Sequence, residues 1–144
     1  MTAKVIEELA VSECQRLLDD HHFGRLAFVD PAEGIPMIIP VNYVTHGGMV
    51  VFRTDRGAKL TAALGGAPVA FEVDGVQEQE RVGWSVVVLG YLQEVTDPAE
   101  IDELGKTPLI PWAPGAKQVY ARVDPDRLSG RQVSVADLPS SWWG

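Results

Sequence analysis

Residues 36–60 read PMIIPVNYVTHGGMVVFRTDRGAKL, and this segment decides the fold. Two apolar runs, at residues 37–44 and 49–52, are rich in the Ile and Val side chains that favour β-strands. They flank His46, Gly47 and Gly48, and the glycine pair can supply the positive φ angles of a tight turn. The segment therefore predicts a β-hairpin made of these two runs.

A cluster of basic and hydroxyl side chains follows the second run. Arg53 and Thr54 end the run, and Arg56 and Lys59 come a few residues later. Residues 59–64 favour a short helix, whose first N–H groups lack backbone partners. Such N–H groups, together with the basic side chains, suit a phosphate dianion. The alternative is an ordinary solvated turn in which the basic side chains pair with carboxylates.

The composition indicates one globular domain at residues 1–144, with a loose tail at 136–144. The chain is 46% hydrophobic and 22% charged, and a core of this size buries roughly 70% of the unfolded surface. The net charge of −8 argues against partners that are nucleic acids or anionic membranes. The single cysteine, Cys14, excludes an internal disulfide and indicates a reducing compartment. Neither a signal peptide nor an apolar run long enough for a bilayer is apparent, so we expect a cytoplasmic protein.

Hydrophobic patterning outside the hairpin predicts a mainly β protein with short helices. An amphipathic segment at about residues 5–20 predicts an N-terminal helix, and Asp97-Pro98 predicts the start of another that ends at Gly105. The further predicted strands lie at residues 23–30, 68–74, 83–92, 119–123 and 128–133. The Val-rich strand at 83–92 predicts burial on both faces. About six or seven strands separated by turns favour a small, mostly antiparallel barrel over a doubly wound sheet.

Aromatic residues close to the basic cluster point to a ligand site. Tyr43, Phe52, Trp84 and Trp112 suit an amphipathic ligand with a flat apolar ring and a phosphate tail. Pro40 lacks an N–H donor, which predicts either an edge strand or a position at a bulge or beside a ligand.

Other motifs of catalysis or metal binding are not apparent in the sequence. The sequence contains neither of the glycine-rich nucleotide fingerprints, and its histidines do not fall in a nucleophile motif. His21 and His22 are adjacent, so their side chains diverge, and no third ligand follows. We therefore expect no metal site and predict no catalytic side chain.

At the residues of the hairpin and its neighbours, the sequence resembles the pyridoxamine 5′-phosphate oxidase-like flavoproteins, a family of FMN-binding split β-barrels. The matching segments, in order, are GRLAFV (24–29), PMIIPVNY (36–43), VFRT (51–54), GAKL (57–60), VAFEVD (69–74) and GWSVVVLG (83–90). Their order and spacing agree with the family over roughly residues 5–135. The likeness is to the small actinobacterial-type branch rather than to pyridoxamine phosphate oxidase itself.

The resemblance implies a homodimer that binds two FMN molecules in clefts between its subunits. Trp142-Trp143 near the end of the chain is an apolar pair that such an interface could cover, although a loose terminus is the alternative. The implied cofactor-binding residues are Pro40, Val41, Asn42, Tyr43, Arg53, Thr54, Lys59, Leu60, Trp84, Ser85 and Trp112. Arg53, Thr54 and Lys59 would hold the phosphate, residues 40–43 would line the isoalloxazine, and Trp112 would approach from the other subunit.

The implied function is that of an FMN-dependent oxidoreductase whose substrate the sequence leaves open. The flavin would carry the hydride chemistry, and the protein would supply orientation and exclude water. One alternative is a reductase of the same fold that uses the deazaflavin coenzyme, and another is a non-catalytic flavin- or haem-binding protein. The oxidase's C-terminal substrate-binding segment has no clear match, so activity on pyridoxamine phosphate is not expected.

Overall fold

The structure is a computed structural model that describes residues 4–109 and 119–135. Its elements are β1 (Lys4–Glu8), α1 (Val11–Asp20), β2 (Phe23–Val29), β3 (Pro36–Asn42), β4 (Val44–His46), β5 (Met49–Thr54), a 3-10 helix (Lys59–Ala63), β6 (Gly65–Gln77), β7 (Val82–Glu94), α2 (Pro98–Leu104) and β8 (Val119–Val135). In these residues, eight strands form one antiparallel sheet in the order β3-β2-β6-β7-β8-β5-β4, and β1 also pairs with β8. The sheet curls around the core as a split barrel, so the predicted mainly β fold class is confirmed.

Alternating residues of the long strands point into this curled sheet. In β7, Val86, Val88 and Leu92 are buried, whereas Leu89 and Tyr91 are 38% and 47% exposed. The expectation that this strand is buried on both faces is therefore wrong. A run of valines is compatible with a half-buried strand as well as with a fully buried one, because Val also occurs on the exposed face of a sheet.

The tight turn of the central hairpin is confirmed. Gly47 and Gly48 have φ angles of 59° and 79°, and His46 pairs with Met49 across the turn. The strand that enters this turn is only β4, because the predicted first run divides at Tyr43. The earlier half of that run, β3, pairs with β2 instead of β5. The division leaves β3 at the edge of the sheet, which is one of the two positions that Pro40 predicted.

The N-terminal segment is a strand followed by a helix, so the single helix predicted at residues 5–20 is wrong in its first part. Lys4–Glu8 pairs with the last residues of β8, and the helix begins only at Val11. Its buried side chains are Cys14, Leu17 and Leu18. The sequence pattern could not reveal β1, because its pairing partner lies more than 120 residues further along the chain.

β8 is one continuous strand of 17 residues where two short ones were predicted. Its pairing with β7 shifts register between Leu89 and Gly90, where Gly90 lies opposite Pro125. A bulge of this kind absorbs a proline that cannot donate to the ladder and lets the strand continue.

α2 covers the outer face of the β4–β5 hairpin and creates a second apolar cluster. As predicted, it begins after Asp97, whose carboxylate accepts a hydrogen bond from the Ala99 N–H, and it ends before Gly105. The second cluster consists of Val44, Val51, Val95, Leu104 and Leu109. None of the helices in the described ranges is long and apolar enough to cross a bilayer.

We expect Gly90→Ala to lower the free energy of unfolding by about 2 kcal/mol or more. A Cβ at this position would lie 2.0 Å from the carbonyl oxygen of Asp124, and neither backbone can retreat without disturbing the β7–β8 ladder. Gly57→Ala is the matched control, because a Cβ there meets no atom within 4 Å. Urea denaturation of both variants and the wild type makes the comparison. Equal stabilities of the two variants would contradict this account of the bulge.

Candidate functional site

The end of β5 presents its two candidate phosphate ligands on opposite sides. Arg53 and Thr54 are neighbours on a strand, so their side chains alternate between its faces. The Arg53 guanidinium lies 5.4 Å from the centre of the Tyr120 ring, on the face that α2 covers. Thr54 is buried on the other face, the side of Phe52 and the main core. Both side chains could therefore contact the same phosphate only if it lies at the tip of the strand.

Lys59 begins the 3-10 helix and reaches toward the turn between β2 and β3. Its Nζ lies 3.8 Å from Oδ2 of Asp30, and its side chain is 61% exposed. Asp30 is buried, and its Oδ1 accepts a hydrogen bond from the Ala32 N–H at 3.0 Å. The following residue, Leu60, is buried and anchors the helix in the core. The exposed ammonium therefore stands near the turn that leads into edge strand β3.

The predicted ring-binding residues at the end of β3 differ in what they expose. Pro40 is exposed, Val41 packs against the core, and Asn42 lines a cavity of about 190 Å³. Tyr43 is almost fully buried, and its hydroxyl donates to the Leu18 carbonyl oxygen at 2.7 Å. Its ring also meets Phe71 edge-on, with 4.9 Å between centroids. The Tyr43 side chain thus supports the strand from inside the barrel and leaves only backbone near the outer surface.

Trp84 and Ser85 lie near the start of β7, away from the basic residues. Both line a cavity of about 400 Å³, and the Trp84 ring packs 4.8 Å from the His21 ring. Ser85 pairs with Asp74 of β6, so three strand spacings, about 14 Å, separate it from β3. Arg53 and Thr54 therefore lie at the end of β5, and Lys59 contacts the turn that follows the end of β2. The candidate ring residues are divided between β3 and β7. Trp112, Trp142 and Trp143 lie outside the described residues.

Other residues close to these positions were not identified from the sequence. Arg25, which pairs with Pro40, places its Nη1 3.5 Å from Glu72 and 3.4 Å from Asp74. Burial and a hydrogen bond with Asp74 raise the pKa of the Glu72 carboxyl. The sequence placed Asp30 only at the end of the predicted strand at residues 23–30. Pairing between strands places these groups together, and no local pattern signals it.

Histidine and carboxylate side chains do not assemble into a metal centre in residues 4–109 and 119–135. No group of three or more His, Cys, Asp or Glu in these ranges could hold an ion. The Nδ1 of His21 lies 2.7 Å from the Leu17 carbonyl oxygen, so this ring closes the end of α1.

Comparison with known proteins gives consistent matches over most of the chain. A family model described as pyridoxamine 5′-phosphate oxidase matches residues 10–132. An uncharacterized protein of Mycobacterium tuberculosis is 35% identical over 141 residues, which cover 94% of this chain and 90% of the relative.

Solved structures of bacterial proteins have the same fold. An FAD binding protein from Mycobacterium smegmatis is 32% identical with a TM-score of 0.73, over 87% of this chain and 96% of that one. A Corynebacterium glutamicum protein, described as a candidate pyridoxamine 5′-phosphate oxidase, is 28% identical with a TM-score of 0.78, over 92% and 96%. These similarities agree with the split-barrel fold of the sheet.

We expect Tyr43→Phe to lower the free energy of unfolding at pH 7 by about 1 kcal/mol, because the buried Leu18 carbonyl loses its donor. Burial, and then the nearby charge of Asp19, raise the pKa of the Tyr43 phenol in the folded protein. Its contribution to stability is therefore present below the unfolded pKa of about 10 and is lost as the pH rises above it.

Urea denaturation between pH 8 and 11 tests both effects in the wild type and in Tyr43→Phe. The wild type should lose stability more steeply above pH 10 than Tyr43→Phe does. The same slope in both proteins would contradict the assignment.

Proposed function

This chain belongs to the pyridoxamine 5′-phosphate oxidase family, and we propose that it is a cytoplasmic, homodimeric flavoprotein oxidoreductase that binds FMN. One observation carries the proposal: the exposed ammonium of Lys59 stands at the start of an exposed edge strand. A similar protein from Mycobacterium smegmatis binds FAD, and the FMN half of FAD has the same ring and first phosphate.

Edge strand β3 offers a track for an elongated cofactor. Pro36 lies beside the turn that Lys59 approaches, and Pro40 follows four residues later, about 13 Å along the strand. An edge strand carries backbone N–H and C=O groups that no neighbouring strand uses. A cofactor with its phosphate near Lys59 can extend its ring toward Pro40 and bind these groups with its polar edge. This arrangement matches an amphipathic ligand with an anionic tail.

The chain's own residues hold and orient the cofactor. Lys59, Arg53 and Thr54 supply charge and hydrogen bonds to the phosphate, and Leu60 keeps the 3-10 helix in place. The buried hydroxyl of Tyr43 stiffens the end of β3 where the ring would lie. When bound, the flavin supplies the hydride chemistry, and the protein supplies position and a water-poor surface.

The test of this proposal is the absorbance spectrum of the purified protein before and after adding FMN. We expect flavin bands that remain after desalting and that are bleached by NAD(P)H under anaerobic conditions. Parallel titrations with the deazaflavin coenzyme and with haem provide the comparison. Binding of either one in place of flavin would overturn the proposal. Flavin that binds but is reduced by no donor would instead indicate a non-catalytic carrier.

We expect Lys59→Ala to weaken FMN binding by about 1.5–3 kcal/mol, because it removes a charge-assisted contact to the phosphate. Lys106→Ala is the matched control, since this lysine of similar exposure pairs only with Asp102 on α2 in the described residues. Quenching of flavin fluorescence measures both affinities. If the two variants bind FMN equally well, Lys59 does not hold the phosphate.

The outer face of the sheet exposes apolar residues that suit contact with a second copy of the chain. Val29, Ile38, Leu89 and Tyr91 are 38–69% exposed on this face, and we call them the outer patch. Ile38 and Leu89 stand at the two ends of one row across β3, β2, β6 and β7, about 14 Å apart, with Ala27 and Ala70 between them. An exposed apolar patch that crosses four strands favours an interface between subunits.

Continuity with the cofactor strand supports this partner. Ile38 and Pro40 are two residues apart and share a face of β3, so a subunit seated on the outer patch also borders the ring position. Trp84 and Ser85 lie too far across the sheet to join the same ring contact within one chain. The second copy could supply them, and the cofactor would then lie between subunits.

We expect Leu89→Glu to convert the dimer into monomers, because it places a charge within the apolar outer patch. Val11→Glu is the matched control, since Val11 is 64% exposed at the start of α1, away from the patch. Analytical ultracentrifugation of both variants and the wild type measures the mass. A monomeric wild type, or a Leu89→Glu protein that remains dimeric, would contradict the proposed interface.

A further inference from the structure

We propose that two copies of the chain pack face to face about a two-fold axis between β2 and β6, where Arg25 of each copy pairs with Glu72 of the other. The inference rests on the homodimer of the proposed function and adds the register of its interface and the residue pair that sets it. A two-fold interface uses the same surface on both subunits, so that surface must be complementary to itself. The outer face of the sheet meets this requirement at one position.

Two neighbouring rows of the outer face are symmetric in their chemistry about the junction of β2 and β6. From β3 to β7, the apolar row is Ile38, Ala27, Ala70 and Leu89, and the charged row is Pro40, Arg25, Glu72 and Val87. The apolar row has a large aliphatic side chain at each end and an alanine on each side of the junction. The charged row has an apolar residue at each end and opposite charges on the two sides of the junction. The centre of both rows therefore lies between β2 and β6.

A two-fold axis parallel to the strands at this junction brings unlike charges together. Arg25 and Glu72 lie on adjacent strands, about 2.4 Å on either side of the axis, so each faces the opposite charge on the second copy. Ile38 then faces Leu89 of the second copy. An axis at right angles to the strands would instead set Arg25 against another Arg25 or against the apolar Val29. Of these orientations, only the axis parallel to the strands is favourable.

The Arg25–Glu72 ion pair within each chain leaves both side chains able to take a second partner. The Arg25 Nη1 lies 3.5 Å from Oε1 of Glu72 and 3.4 Å from Oδ2 of Asp74, longer than the roughly 2.7–2.9 Å of a strong charge-assisted bond. The Arg25 and Glu72 side chains are 49% and 34% exposed. Two such pairs related by the axis form a square of alternating charges. Charges arranged in this way fix the register of an interface, while the apolar outer patch contributes most of the affinity.

The same axis brings Ser85 of one copy to the cofactor strand of the other. In the next row, Asn42 pairs with Phe23, and Ser85 pairs with Asp74. The axis sets Ser85 of the second copy opposite Asn42, two residues from the ring position at Pro40. Asp74 then faces Phe23 of the second copy rather than another carboxylate. Each cofactor site is thus completed by its partner, although about 14 Å separates Ser85 from β3 within one chain.

Charge reversal tests the axis in the full-length chain. Arg25→Glu makes the centre of the interface acidic and Glu72→Arg makes it basic, so each variant should repel its own copies. An equimolar mixture should form heterodimers, because every facing pair then joins an acidic side chain to a basic one. An ion pair confined to one chain is broken in both variants, so mixing cannot restore it. Asp102→Lys and Lys106→Glu, at an exposed ion pair on α2, are the matched control.

Three measurements follow the association. Thermal melting shows that each variant is folded, sedimentation gives the dissociation constant of each dimer, and native mass spectrometry measures the fraction of heterodimer when one variant carries a heavy nitrogen isotope. We expect each charge variant alone to dimerise at least about tenfold more weakly than the wild type, and the mixture to recover the wild-type constant within about a factor of two. The control variants should dimerise like the wild type and mix in random proportions.

FMN affinity provides a second readout. It should fall in each charge variant alone and recover on mixing, because the heterodimer again supplies Ser85 to each site. A direct effect of either substitution on the bound ring would persist in the mixture.

The outcomes separate the axis from the proposed function. If the wild type dimerises and binds FMN but the mixture forms no more heterodimer than the control, the axis is wrong and the proposed function stands. If the wild type is a monomer that binds FMN, the axis and the dimer are wrong and flavin binding stands. If the wild type binds no FMN, the flavin function is wrong, and an excess of heterodimer would still establish the axis.

Discussion

The antiparallel pairing of β7 with β8 is the constraint on which the rest of this structure depends. β8 is long enough to hold β5 at its first residues and β1 at its last, both on the side away from β7. The N-terminal strand and the β4–β5 hairpin are thereby tied to one strand. The glycine at the register shift, Gly90, keeps this ladder continuous past Pro125. Without the β7–β8 pairing, the hairpin that carries the basic residues would have no fixed position relative to the core.

The candidate site is a consequence of that ladder and of the divided hairpin. β8 places Tyr120 beside Arg53, and the break at Tyr43 sends β3 to the sheet edge beside β2. Charged groups then gather at one end of the sheet, while an exposed strand leads away from them. An elongated anionic cofactor needs this combination of a charged anchor and an accessible backbone edge. The apolar outer patch begins on the same exposed strand, so cofactor binding and dimerisation are proposed to share one surface.

Local signals made part of this structure predictable. The glycine pair at 47–48 requires positive φ angles, and Asp97-Pro98 caps a helix within its own first turn, so both features were identified correctly. The basic cluster was also recognisable, because its members are close in sequence. The prediction at residues 5–20 was wrong in its first part because β1 is a strand only through its distant partner in β8. The burial of Asp30 and the edge position of β3 likewise depend on pairing between distant residues.

The amino-acid sequence by itself determined the mainly β class, the tight turn, the second helix and the grouping of basic side chains near the end of a strand. These features depend on backbone preferences and side-chain chemistry over a few residues. Only the tertiary structure decided which strands pair and that the Tyr43 side chain supports the core. Only it placed Arg56, Ile101 and Tyr120 around one cavity. Such arrangements depend on contacts between residues far apart in the chain. The sequence pattern of one segment does not specify which distant segment it contacts.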